Sequence, residues 1–326
     1  MTGSAPISAD LLRLDAPAEA ERIAAAVREQ VFQRLRRRGA VVGLSGGVDS
    51  SVVAGLLARA LGRDRVLGLL MPEQESAGES ERLGRLVAET FGIPYVVENI
   101  GPILEAAGCY ARRDAAIRRV IPHYTSAYRC KLVMPGLLEG ERLSAFWVVV
   151  RSPSGEETRA RLTADAYLEI VAATSFKQRT RKMLEYFHAD RLRYAVAGTP
   201  NRLEYDQGFF VKNGDGSADL KPIAHLYKTQ VYQLAAYLGV PEEIRSRPPT
   251  TDTYSLPQTQ EEFYFSVPYD VLDLCLYGKD HGVPPERLAP AVRLTAEQVD
   301  RVYRDIDAKR RAARYLHEPP LLVPES

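Results

Sequence analysis

The run Gly43-Leu44-Ser45-Gly46-Gly47-Val48-Asp49-Ser50-Ser51 has the makings of a phosphate cradle. Adjacent glycines let the backbone approach an anion without side chains in the way, and N–H groups at a helix start point toward phosphate oxygens. Ser45, Ser50 and Ser51 add hydroxyl donors. Asp49 puts a carboxylate beside those phosphates, an arrangement that makes sense with Mg²⁺ between them, since two bare anions repel. No Gly-Lys-Ser/Thr follows the glycines, so this is not a Walker A loop. The pattern suits gripping the pyrophosphate of ATP while leaving the α-phosphate open, which is adenylation chemistry. The plainer alternative is a turn that only caps a helix.

A second group of chemistry-bearing residues lies further on. Residues 198–205, Gly-Thr-Pro-Asn-Arg-Leu-Glu-Tyr, carry a hydroxyl at Thr199 and a carboxylate at Glu204 that could hold a second side of the metal. Residues 208–223 then place glycines among charged groups, including Lys212 and Asp219, and Leu-Tyr-Lys-Thr follows at 226–229. That mixture reads as a shaped pocket more than a solvent turn.

The elements needed to position these residues can be read around them. Residues 40–44 form a short apolar run of the buried parallel-strand kind, and 51–61 are helix formers, so the glycine loop falls at a strand-to-helix turn. Upstream, 17–38 predicts an amphipathic helix with Ile23, Val27, Val31 and Leu35 on one face. Downstream come strands at 66–72 and 95–100 with a helix at 80–91 between them. The alternation implies a doubly wound parallel α/β sheet with flanking helices, whose ligands bind beyond the strand carboxyl ends. It falters over 101–174, where 147–150 and 158–162 read as a β-hairpin turning at 152–155 and a new helix begins near Thr163 and Asp165. It resumes with a helix at 176–189, a strand at 194–198 and a helix at 228–238. A final helix starts at the capping-box-like Thr295-Ala296-Glu297-Gln298 and runs to about 316.

Composition narrows the class. Of 326 residues, 45% are hydrophobic and 26% charged, ordinary for a globular protein. Forty-three basic against 42 acidic residues give a formal charge of +1, with no global electrostatic case for nucleic acid. No apolar run approaches the ~20 residues that span a bilayer, and the N-terminus lacks a signal-peptide pattern, so a cytoplasmic location is the default. The three cysteines are widely spaced and suit reduced thiols.

The glycine loop resembles the PP-loop of the ATP pyrophosphatases, a family that includes GMP synthetase, asparagine synthetase, tRNA-thiolating enzymes and NAD synthetase. Residues 198–229, with Pro248-Pro249-Thr250 and with Arg179-Thr180-Arg181 and Tyr186 ahead of them, resemble NAD synthetase in particular. The resemblance covers about 40–254, interrupted in the middle. It implies that Gly43, Leu44, Ser45, Gly46, Gly47, Val48, Asp49 and Ser50 bind ATP together with Thr199, Lys228 and Thr250. It implies further that Asp49 and Glu204 bind Mg²⁺, that Asp49 and Lys228 are catalytic, and that Arg181, Tyr186, Lys212, Asp219 and Lys309 surround deamido-NAD. Each second-site residue has a structural reading too: Asp219 could cap a turn, Tyr186 could be core and Thr250 could cap a helix.

The implied reaction has a carboxylate attack the α-phosphorus of ATP, expelling pyrophosphate, after which ammonia displaces AMP to leave an amide. Glutamine-dependent relatives carry an amidase domain ahead of the loop. Here the loop begins at Gly43, which leaves free ammonia or a separate glutaminase as the nitrogen source. The family's habit implies a homodimer. Two departures stand out: the stretch between Ile100 and Phe176 is longer than the family's, and the family's C-terminal His-Lys pair appears as Ala308-Lys309. The expected organisation is one synthetase-like domain over 1–326, an insertion at 101–174 and a C-terminal helical extension at 261–326. Two alternatives stand beside it, a diverged ligase amidating another carboxylate and a non-catalytic nucleotide sensor.

Overall fold

In a computed structural model, the described residues are 7–76, 78–134, 137, 146–250 and 253–323. After α1 (Ala16–Arg28) and a π-helical turn at Glu29–Arg34, β1 (Ala40–Gly43) leads into α2 (Val48–Leu61). Next come β2 (Val66–Leu70), α3 (Gly78–Phe91), β3 (Tyr95–Val97), α4 (Gly101–Ala106) and α5 (Cys109–Arg118). Strands β4 (Arg129–Val133), β5 (Trp147–Arg151) and β6 (Glu157–Arg161) precede the 29-residue helix α6 (Ala164–Leu192) and β7 (Ala195–Ala197). The chain closes with α7 (Arg202–Gln207), α8 (Lys228–Leu238), α9 (Glu242–Arg245), α10 (Tyr269–Asp280), α11 (Pro285–Val292) and α12 (Ala296–His317).

The central sheet is parallel in the order β3-β2-β1-β7, with Val41 opposite both Leu67 and Val196. Its apolar strands bury side chains on both faces, as parallel sheets require. One face packs α1, α2 and α8 through residues such as Val27, Leu56 and Val231. The other packs α4, α5 and the second half of α6 through Leu104, Tyr110 and Ala189. Helices α10 to α12 enclose a separate apolar cluster around Phe265, Leu276 and Ile306.

The expected α/β sheet is present, with four corrections. The first helix ends at Arg28, and the widened turn that follows keeps Val31 buried. Strands β2 and β3 are shorter than 66–72 and 95–100, because the chain past β3 turns into α4, where the Ile100 N–H donates to the Pro72 carbonyl at 3.0 Å. The hairpin is the edge of a three-stranded antiparallel sheet, β4-β5-β6, whose first strand went unread. Helix α6 is continuous where two separate helical stretches were expected. Thr174 and Ser175, which look like a boundary, donate their hydroxyls to the carbonyls of Ile170 and Val171 at 2.9 and 2.8 Å, within the helix itself.

Candidate active site

A cavity of about 430 Å³ opens beyond the carboxyl ends of β1, β2 and β7. Its floor is the glycine loop, and its helix begins earlier than the sequence suggested, with Gly47 as N-cap and Val48 as first residue. Gly46 has φ +75, and a Cβ there would meet Leu83 Cβ and the Ser80 carbonyl oxygen at 2.8 Å, so both conformation and packing call for glycine. The first-turn N–H groups of α2 have no intrahelical acceptors and face the cavity end of the helix. Ser45 Oγ lies 3.2 Å from Ser50 Oγ and accepts the Gly47 N–H at 3.3 Å. Ser51 departs from expectation: it is fully buried and its hydroxyl is spent on the Gly47 carbonyl at 2.8 Å.

Asp49 is gripped from two elements. Its Oδ1 accepts the Asn201 side-chain amide at 3.0 Å, and its Oδ2 pairs with the Lys228 ammonium. Asn201 is also the N-cap of α7, in a reciprocal capping box with Glu204, so the residue that holds Asp49 also fixes Glu204 in the first turn of α7. Glu204 Oε1 accepts from Gln260 at 3.3 Å. Burial first, and Asp49 second, push the Glu204 carboxyl up to about 8. Lys228 is fully buried. Burial works against its charge, but Asp49 and Glu204 outweigh it and its pKa is raised. Asp273 orients the start of α8 by accepting the Lys228 and Thr229 N–H groups at 3.2 and 2.7 Å.

Asp49 and Glu204, which both line the cavity, are a fitting seat for one divalent cation. Mg²⁺ is commonly held by one or two carboxylates, with substrate phosphates and water completing its shell. Among the described residues no cluster of three or more His, Cys, Asp or Glu side chains could hold a metal without such help.

Helix α6 forms one wall. Tyr167, Val171, Thr174, Gln178, Arg181 and Glu185 recur at three- and four-residue steps along its cavity side. Beneath it a buried network ties down the loop after β2. Lys177 Nζ donates to Glu73, Glu75 and the Thr253 carbonyl at 2.9, 2.7 and 2.8 Å, Tyr110 donates to Glu73 at 2.6 Å, and Arg113 pairs with Glu75. Burial acts to raise the Glu75 pKa, and Lys177 and Arg113 more than reverse it. None of this network was singled out from sequence.

Of the expected residues, Gly43 to Ser50, Thr199, Glu204, Thr250 and Arg181 all line the cavity, and Lys228 stands behind Asp49. Tyr186, Lys212, Asp219 and Lys309 are not among its lining. Tyr186 donates to Asp219 at 3.3 Å, and Asp219 accepts the Val196 N–H at 2.8 Å along β7. Lys212 donates to the Tyr315 and Glu318 carbonyls at the end of α12, at 2.8 and 2.9 Å. Lys309 pairs with Asp305 at 2.7 Å within α12.

The parallel sheet and its glycine loop define an adenine-nucleotide-binding α/β protein of the PP-loop class. The sequence profile of the NAD synthase family matches residues 19–120 and 155–313. A protein of Mesorhizobium japonicum named NH(3)-dependent NAD(+) synthetase is 61% identical over 97% of this chain and 99% of its own. The chain therefore belongs to the NAD synthase family. Among solved structures, an NMN synthetase from Francisella tularensis superposes with a TM-score of 0.66 at 21% identity, covering 95% of this chain and 99% of that one. An NH3-dependent NAD synthetase from Campylobacter jejuni gives 0.62 at 21% identity, covering 95% and 100%. At that identity the two structures speak to the fold alone.

Proposed function

We propose that this chain is an ammonia-dependent NAD synthetase, which adenylates the carboxylate of deamido-NAD with ATP and transfers ammonia to give NAD, AMP and pyrophosphate. The name shared by its close relatives supports the activity. The observation that carries it in this chain is the Asp49–Lys228 pair, with Glu204 beside it, at the mouth of a glycine loop that opens a helix.

A free carboxylate is a poor electrophile, so the acceptor must be activated before ammonia can attack. The α2 N–H groups and the Ser45 and Ser50 hydroxyls hold the pyrophosphate, and the Lys228 ammonium offsets the charge it gains on leaving. Thr199 and Thr250 contact the nucleotide from the opposite rim, and Arg181 reaches the acceptor. Asp49 and Glu204 would hold Mg²⁺, which when bound neutralises phosphate oxygens. Tyr186, Lys212, Asp219 and Lys309 would take part only through surfaces outside this cavity. The enzyme's main work is positioning, and no side-chain nucleophile is required.

The chain is read as one synthetase unit, with an insertion at 101–174 that holds β4 to β6 and a C-terminal helical extension at 261–326. The gap in the family match at 121–154 supports the middle of that insertion, with β4 and β5, while β6 lies within the matched residues. The relatives' names favour free ammonia over a separate glutaminase. Leu168, Met183 and Phe187 leave an exposed apolar flank on α6, which favours a homodimer. Among the described residues no helix is long and apolar enough to cross a membrane, in keeping with a cytoplasmic enzyme.

The test is release of AMP and pyrophosphate from ATP and ammonium, with deamido-NAD and nicotinate mononucleotide as rival acceptors. Turnover with deamido-NAD is expected. Turnover with the other acid alone points to the diverged ligase, and nucleotide binding without turnover on any acceptor points to the sensor.

A further inference from the structure

Glu185 sits on α6 with only 7% of its surface exposed, and it lines the cavity. Its Oε2 accepts from Lys182 Nζ at 2.5 Å, one turn earlier on the helix. Its Oε1 has no hydrogen-bond partner among the described residues. That oxygen leans over the end of β1, where a Cβ on residue 43 would come within 3.1 Å of it. Gly43 thus makes room for a carboxylate oxygen that opens to the cavity and takes no hydrogen bond from the described residues. A carboxylate oxygen fixed at the wall of a binding cavity, with its other oxygen already paired, is placed to accept a donor from the ligand.

We propose that Glu185, oriented by Lys182, accepts a hydrogen bond from a ribose hydroxyl of the bound nucleotide and makes the site selective for ribonucleotides. The proposal rests on the reading of the cavity as an ATP site. Two extended residues, from Gly43 to Ser45, span about 6.6 Å, comparable to the span between a 5′-phosphate and the hydroxyls of its own sugar. A nucleotide whose β- and γ-phosphates lie along the start of α2, with its α-phosphate beside Ser45 and still open to attack, therefore brings its ribose to the end of β1, under Oε1. Lys182 occupies the other carboxylate oxygen, so Glu185 is held in one rotamer and its charge is compensated before the ligand arrives.

The experiment measures equilibrium binding of ATP, 2′-deoxyATP and 3′-deoxyATP by calorimetry, with pyrophosphate release measured in parallel. Wild type is expected to prefer ATP over at least one deoxy analogue by about tenfold to hundredfold, the range for a hydrogen bond to a charged group. Glu185→Ala should bind ATP as weakly as that analogue and leave the analogue's own affinity unchanged. Lys182→Met combined with Glu185→Leu removes both buried charges, guards against misfolding and should show the same loss of preference. Wild type binding all three nucleotides equally would overturn the proposal, as would variants that keep the preference. A Glu185→Ala variant that keeps it but needs more ammonium would assign the carboxylate to ammonium instead. Selective binding that is lost in the variants, in an enzyme that turns over no acceptor, would sink the synthetase reading and leave this one standing. An enzyme that binds no ATP would overturn both.

Discussion

Replacing Lys228 by methionine isolates what the buried ammonium contributes. Its Nζ pairs with Asp49 and lies 5.4 and 5.9 Å from the ring centres of Tyr269 and Tyr232, so methionine fills the space and removes only the charge. Breaking a buried pair costs about 3–5 kcal/mol, because the surviving charge is stranded. The Asp49 side chain keeps 16% exposure, so water can reach it, and the low end, about 3 kcal/mol, applies. In a chain this long that lowers the melting temperature by about 4 °C. Catalysis should suffer separately. A cation aimed at developing phosphate charge contributes about 100- to 1000-fold, so kcat and kcat/KM for ATP should fall together by that factor. Pyrophosphate release well below the melting temperature, at saturating ammonium and deamido-NAD, reads the effect. A kcat within about tenfold of wild type in a folded Lys228→Met would refute the assignment of Lys228 to the leaving group.

Asp49→Asn should raise the Mg²⁺ concentration for half-maximal pyrophosphate release by about tenfold or more, and an unchanged Mg²⁺ titration would refute the metal role. Asp273 gives a pH signature: burial first lifts its carboxyl from 3.8 to about 6 in the folded state, against the pull of the α8 N–H groups. Its stabilising contribution is therefore full below its unfolded pKa and is lost as pH rises through about 6. Denaturant titrations from pH 4 to 7 should show wild type losing stability relative to Asp273→Asn, and parallel curves would contradict this. Gly208 ends α7 at φ +74, where a Cβ would stand 2.5 Å from Ala313 Cβ on α12. Gly208→Ala should cost about 2–4 kcal/mol by chemical denaturation, combining backbone strain and overpacking.

The glycine loop and its sheet were legible because their signals are local. A buried parallel strand is an apolar run, and the turn into α2 is written in consecutive residues. Asn201 could not be found that way, since its bond to Asp49 joins positions 152 apart in sequence. Strand β4 does alternate, with Cys130 and Leu132 buried and Arg129 exposed, but the pattern is short and its partner β5 begins only at Trp147. The cavity wall on α6 mixes Tyr167, Val171, Gln178, Arg181 and Glu185, so its period is one of position and not of hydrophobicity. Lys182 and Glu185 read in sequence as an ordinary helical pair, and only their approach to Gly43 gives them meaning. Among the family-implied positions, those on the loop and on α7 reach the cavity. Lys212, Asp219 and Lys309 hold other parts of the fold together.

The Asp49–Lys228 pair also sits on a seam. Asp49 follows Val48, which belongs to the apolar mass under the sheet, whereas Lys228 opens α8 between Tyr227, which belongs to the mass enclosed by α10 to α12, and Val231, which belongs to the first. Glu204, next to Leu203, stands on the C-terminal side as well. An occupant bound to all three groups would add a tie between two oil-like bodies that α8 already spans. Ligand binding then becomes a term in the cooperativity of unfolding, growing with ligand concentration. The melting temperature should therefore climb with ligand concentration, so the site that joins substrates would also strengthen the tie between the two bodies.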